Sequence, residues 1–110
     1  MDLQLIETLE YYDTIQLFIG VDQVASFYIC MLVEQNDLED TYLCASISMK
    51  RLKEFKAGKI DLRELFVVPE SRDRMHCIET ENASYGTHTL YKIDYNKIPR
   101  SWFPSKGRTK

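Results

Sequence analysis

The sequence predicts a single α+β domain. Its framework is a mostly antiparallel sheet of about five strands, a meander or half-open barrel. One helix and one short helical turn are inserted between strands three and four. Three observations predict this. The run Ala25 to Val33 is apolar at both parities, with Phe27, Ile29, Met31 and Val33 on one side and Tyr28, Cys30 and Leu32 on the other. Such a strand is covered on both faces and belongs at the centre of the core. Short polar turns separate this run from alternating runs on either side, which is the signature of a meander. At Ser48 the apolar period changes from two to three, which marks a helix.

Taken in order, Asp2 to Tyr12 mixes both periods and reads as an extended lead-in. Strand one, Ile15 to Asp22, sets Leu17, Ile19 and Val21 against Gln16, Phe18, Gly20 and Asp22. Gly20 inside a strand points to a bulge or a close backbone approach. After a short turn comes the central strand. The polar stretch Gln35 to Asp40 is then a hairpin loop, with Asn and Asp available for left-handed positions. Strand three is Thr41 to Ile47. Ser48 is a good N-cap for a helix over Met49 to Ala57, and Gly58 is a natural residue just past its end. Met49, Leu52 and Phe55 line its apolar face. Asp61 and Glu64 form a second capping arrangement, opening a turn from Leu62 to Phe66 that stops before Pro69.

Pro69 to Asp73 reads as a charged loop, Arg74 to Thr80 as strand four, Glu81 to Gly86 as a turn, and Thr87 to Tyr95 as strand five. The prolines of Ile98-Pro99 and Phe103-Pro104 forbid further pairing inside a sheet. Trp102 and Phe103 are expected to cap an open end of the core. The domain spans 1–104, and 105–110 is a frayed basic tail. The expected core is Leu17, Ile19, Val21, Phe27, Ile29, Met31, Leu43, Ala45, Leu52, Phe55, Leu65 and Phe66.

At 110 residues the chain buries about two-thirds of its unfolded surface and needs no metal or disulfide to hold together. The three cysteines, Cys30, Cys44 and Cys77, have no CxxC spacing and read as reduced thiols. Neither His76 nor His88 completes a zinc pairing, and no cofactor is expected. No apolar run approaches the ~20 residues of a membrane span. Met1 is followed by Asp2, Glu7 and Glu10 rather than a basic and then apolar leader, so the expected location is cytoplasmic.

The net charge of −3 conceals an asymmetry. Residues 1–49 hold nine acids and no Lys or Arg; residues 50–110 hold all 14 basic residues and the other eight acids, since 17 − 9 = 8. Such polarity predicts opposed charged faces. The acids Asp13, Asp22, Glu34, Asp37, Glu39 and Asp40 form a candidate partner-binding patch that would steer a basic protein. Exposed Tyr and Trp near it would supply anchors. Homodimerisation through an open sheet edge is a variant of that reading. The alternative is nucleic-acid binding through the helix residues Lys50, Arg51, Lys53 and Lys56. The sequence lacks GxSxG, HExxH, P-loop and GxGxxG motifs. A Cys77 nucleophile with His88 as base on a neighbouring strand is the one catalytic pairing it offers.

Leu9-Glu10-Tyr11-Tyr12-Asp13, Gln16-Leu17-Phe18, Tyr28 to Glu34, Arg51-Leu52, Gly58 to Phe66 and Ile98 to Pro104 together resemble a family of small uncharacterised bacterial domains. The resemblance covers most of the chain. One departure is Thr14-Ile15, where the pattern carries Gly-Pro. The resemblance implies a bacterial or phage cytosolic origin and transfers no catalytic residue. The functional expectation is therefore a non-enzymatic protein-interaction module: an inhibitor, an immunity or antitoxin protein, or an accessory subunit of a defence-related complex.

Overall fold

Alternating polarity drives the first half of the chain into four long strands. The computed structural model describes residues 2–12, 14–68, 75–80 and 87–104. The strands are β1 (Asp2–Tyr12), β2 (Thr14–Asp22), β3 (Phe27–Gln35) and β4 (Asp40–Ile47). Two helices follow, α1 (Met49–Lys56) and α2 (Leu62–Val67), then β5 (Met75–Thr80), β6 (Thr87–Thr89) and β7 (Tyr91–Lys92). Two 3-10 turns come last, Tyr95–Lys97 and Arg100–Trp102. All seven strands form one antiparallel sheet in the order β6-β1-β2-β3-β4-β5-β7.

The two ends of that order are neighbours in sequence. β6 pairs with β1, placing His88 opposite Leu3. β7 pairs with β5, placing Tyr91 opposite Cys77. One short run, 87–92, thus serves both edges, and the sheet curls nearly into a barrel. This corrects the expectation of five strands with an open edge. The expected strand Thr87 to Tyr95 breaks at Leu90, and its two pieces satisfy different neighbours. It ends at Lys92, and Tyr95 stands in a 3-10 turn. These pairings cover Asp2 to Gln4 of β1 and His76 and Cys77 of β5, and so shorten the backbone rows that an edge strand offers to another chain.

β1 is a second correction, since the expected lead-in is an eleven-residue strand. Its first half alternates, with Leu3 and Leu5 buried. The register against β2 then shifts between Leu5 and Glu7, Thr8 and Glu10, and Glu10 and Tyr11. Each shift breaks the two-residue period and bends the strand. The mixed period in the sequence is the imprint of those bulges.

The core has two layers. The inner one contains Leu3, Leu5, Ile15, Phe18, Tyr28, Cys30, Tyr42, Cys44, Ile78 and Leu90. It draws on β1 to β5 and the closing run, and on no helix, so it fills the barrel. The outer layer joins Leu17, Ile19, Ile29, Met31, Leu43 and Ala45 to Leu52 and Phe55 of α1 and Leu62, Leu65 and Phe66 of α2. Ten of the twelve expected core residues are in this layer; Phe27 packs half-buried against it and Val21 is half-buried. Both faces of β3 are covered, as its two apolar parities required. Gly20 lets the layers close: a Cβ there would lie 2.5 Å from Leu3 Cδ2.

The helices begin where their caps predict. Ser48 Oγ accepts the Arg51 N–H at 3.2 Å, and Asp61 Oδ1 accepts that of Glu64 at 2.8 Å. Gly58, at φ +77°, turns the chain after α1. α2 runs to Val67, one residue past expectation. Met49, expected on the buried face of α1, is exposed. Trp102 and Phe103 pack half-buried on the outer layer beside Ile98, rather than across an open end. The expected loop at 69–73, residue 74 of strand four, the turn at 81–86 and the tail at 105–110 lie outside the described residues.

Candidate functional site

The up-and-down order of the strands puts the β1–β2 and β3–β4 hairpin tips at one end of the barrel. β1 and β2 pair up to Tyr12 opposite Thr14, and β3 and β4 up to Gln35 opposite Asp40. Two long-range contacts hold these tips together. Thr14 Oγ1 donates to Asp40 Oδ2 at 3.5 Å, and the buried Tyr42 hydroxyl donates to the Ile15 carbonyl. Burial, reinforced by the Asp40 charge, raises the Tyr42 pKa, so the hydroxyl keeps its proton and remains a donor. Within the second tip, Asn36 Oδ1 accepts the N–H groups of Leu38 (2.8 Å) and Glu39 (2.9 Å). Asn36 N–H in turn donates to the Glu39 carbonyl at 3.0 Å. The loop is therefore a braced turn.

Large side chains at this end are exposed. Tyr11 is 66% exposed, Tyr12 76% and Leu38 80%. Asp37 and Glu39 flank Leu38 on the loop, Asp37 exposed and Glu39 half-buried. Exposed Glu34 stands near the same end of β3, where its Oε1 accepts the Trp102 indole N–H at 3.0 Å. Leu38 is a site residue that the sequence reading missed. Its signal is an apolar residue isolated in a polar loop, with no partner at strand or helix spacing.

The structure separates the six candidate acids. Asp37, Glu39, Asp40 and Glu34 belong to the hairpin end, but Asp40 is buried there as a structural acceptor. Asp22 belongs to the other end, about 26 Å away along the nine residues of β2. It is 7% exposed, and its Oδ1 accepts the N–H groups of Val24 (3.0 Å) and Ser26 (2.9 Å). Asp22 is a turn-forming residue and leaves the patch. Asp13 lies outside the described residues.

The candidate basic face is partly engaged. Lys56 Nζ lies 2.8 and 2.9 Å from the two Glu7 carboxylate oxygens, and Arg51 donates to the Glu64 carbonyl at 3.1 Å. Lys50 and Lys53 are exposed. The Lys56–Glu7 pair joins the basic helix to the acidic half, so the two charge regions meet rather than stand wholly opposed.

The Cys77–His88 pairing is not assembled. His88 is buried against Phe18, ring centroids 6.1 Å apart, inside the barrel. Cys77 stands opposite Leu43, whose side chain belongs to the outer layer. Burial also raises the Cys77 thiol pKa, with the Cys44 and Glu79 neighbours adding to it, which lowers its thiolate fraction. His76 is buried edge-on to Tyr28 at 5.6 Å. Cys30 and Cys44 face each other as buried thiols in the inner layer, where burial pushes the Cys44 pKa well up. Among the described residues no three His, Cys, Asp or Glu side chains stand close enough to hold a metal ion, and no helix is long and apolar enough to cross a membrane.

Fold and site together define a small curled antiparallel sheet, flanked on one side by two short helices and ending in a pair of hairpins, one of which carries accessible acids. The chain belongs to a family of unknown function, DUF6575, whose model matches residues 2–108. No curated protein and no solved structure matches it.

Proposed function

We propose that this protein is a non-enzymatic protein-interaction module that binds a partner through the hairpin end of its barrel. The observation that carries the reading is the exposure of Tyr11, Tyr12 and Leu38 at the same end of the barrel as Asp37 and Glu39. Exposed aromatic and aliphatic side chains held on a braced framework are the anchors that interfaces bury. An acidic rim accelerates encounter with a basic partner and discriminates against acidic ones. Such a surface suits an inhibitor, an immunity or antitoxin protein, or an accessory subunit of a bacterial or phage defence complex in the cytoplasm.

The test is affinity capture from native host lysate, with and without nuclease, using the parent protein and two double variants. Tyr11→Ala/Tyr12→Ala removes anchors, and Asp37→Lys/Glu39→Lys reverses the rim. A stoichiometric protein should survive nuclease with the parent and be lost with both variants, whose melting temperatures should match the parent's. Loss of about 2 kcal/mol at an anchor corresponds to roughly 30-fold in affinity. Equal retention by all three proteins refutes the assignment. Recovery of nucleic acid that Lys50→Glu/Lys53→Glu abolishes would instead favour the basic helix.

A further inference from the structure

We propose that the cavity between α2 and the C-terminal 3-10 turns binds a small organic anion carrying a flat apolar ring. The cavity measures about 300 Å³ and is lined by Arg63 of α2, Tyr95, Asn96 and Ile98 around the first 3-10 turn, and Arg100 and Phe103 around the second. That volume is at the lower end of the range for small-molecule sites, which favours a compact ligand over a large cofactor.

Charge argues for an anion. Two arginines line one concave space, and neither guanidinium makes an ion pair or hydrogen bond with another described residue. Like charges sharing a cavity repel, and a bound anion reverses the sign of that interaction. No acid is among the described residues that line the cavity. Each guanidinium fork matches two oxygens of a phosphate or carboxylate.

The walls argue for a ring. Tyr95 and Phe103 stand with centroids 6.1 Å apart, tilted by 50°. The Tyr95 hydroxyl donates to the Val67 carbonyl, which ties the first turn to α2 and fixes the ring. Ile98, 6% exposed, packs into the outer core layer beside them. An aromatic surface held by its own hydrogen bond is pre-organised for stacking. None of these residues belongs to the hairpin end, so the inference stands apart from the proposed partner surface.

Trp102 is the only tryptophan and adjoins Phe103, so its fluorescence reports on this wall. The full chain is titrated with phenyl phosphate, benzoate, inorganic phosphate and the neutral benzyl alcohol, followed by fluorescence and by amide NMR shifts. Phenyl phosphate or benzoate should bind at submillimolar concentration and shift the amides of 95–103. Benzyl alcohol and inorganic phosphate should bind at least about tenfold more weakly, because each supplies half of the recognition. Which of the two ring anions binds more tightly distinguishes a phosphate from a carboxylate ligand. Arg63→Gln and Arg100→Gln should each weaken binding about tenfold or more at unchanged melting temperature. The proposal is overturned if neither ring anion shifts those amides at millimolar concentration. Equal affinity for the charged and neutral rings overturns it too, as does unaltered binding by the double Gln variant.

Discussion

Gly20→Ala tests how the barrel is closed. The new methyl would meet Leu3 Cδ2 at 2.5 Å and Cγ at 2.6 Å. Carbon atoms in ordinary contact sit about 3.5–4.0 Å apart, so the overlap is on the order of 1 Å. Leu3 is 0% exposed and has no solvent side to move to. It must leave its rotamer or push β1 outward. Overpacking of this kind costs roughly 1–3 kcal/mol. Overlap with a fully buried side chain places the cost in the upper part of that range, about 2–3 kcal/mol; replacing a strand glycine returns about 0.5–1 kcal/mol of chain entropy, leaving a net loss of about 1–2.5 kcal/mol. Urea unfolding should show that loss, with a melting temperature lower by at least about 4 °C. Leu3→Ala alone should cost roughly 2–5 kcal/mol by opening a cavity. In the double variant the methyl added at position 20 occupies space that the Leu3 side chain vacates, so the combined loss should fall short of the sum by about 1 kcal/mol or more. A Gly20→Ala protein as stable as the parent, or strict additivity with Leu3→Ala, refutes this account.

Two further predictions concern the polar groups that position the hairpins and turns. Tyr42→Phe should destabilise the fold by about 1–3 kcal/mol, because the buried Ile15 carbonyl loses its donor. The parent should also lose stability as pH rises above about 10, the ordinary tyrosine value. There the unfolded chain gives up a proton that the folded one keeps, because burial raises the Tyr42 pKa. Stability measured at pH 8 and 11 should fall less steeply in Tyr42→Phe; equal slopes would remove Tyr42 from the alkaline response. Asp22→Ala should cost about 1–2 kcal/mol by releasing the Val24 and Ser26 N–H groups. Asp37→Ala on the open loop should stay within about 0.5 kcal/mol. Equal melting temperatures for these two variants would contradict the division between structural and surface acids.

What the sequence made legible followed from local rules. Ser48, Gly58, Asp61 and Glu64 act within a few residues, and both helices start where those residues dictate. The outer core was readable because Leu17, Ile19, Ile29, Met31, Leu43 and Ala45 alternate cleanly. The site was less legible. Asp22 and Asp37 are the same residue type in similar polar turns. Only the fold reveals that one holds two backbone donors while the other meets water. Arg63 and Arg100 are 37 positions apart, and no spacing rule links them to one cavity.

The barrel itself was implied by β3, β4 and the size of the chain. Every residue of β4 is buried, as are Tyr28 to Met31 of β3. An open sheet needs a second layer on each face to bury such strands, and among the described residues α1, α2 and the C-terminal turns all pack on one face. Among the described residues the remaining apolar parity, Tyr28, Cys30, Tyr42 and Cys44, is covered by the sheet itself. Curling achieves this when a strand reaches both edges. Residues 87–92 reach them by splitting at Leu90, which turns its side chain into the inner layer. Curling also requires close approach at a small residue and local bending of a long strand. Gly20 and the bulges of β1 supply these, and both were visible in the sequence as irregularities in an otherwise alternating pattern. Two apolar faces with helices enough for one are therefore an argument for closure from composition and pattern alone.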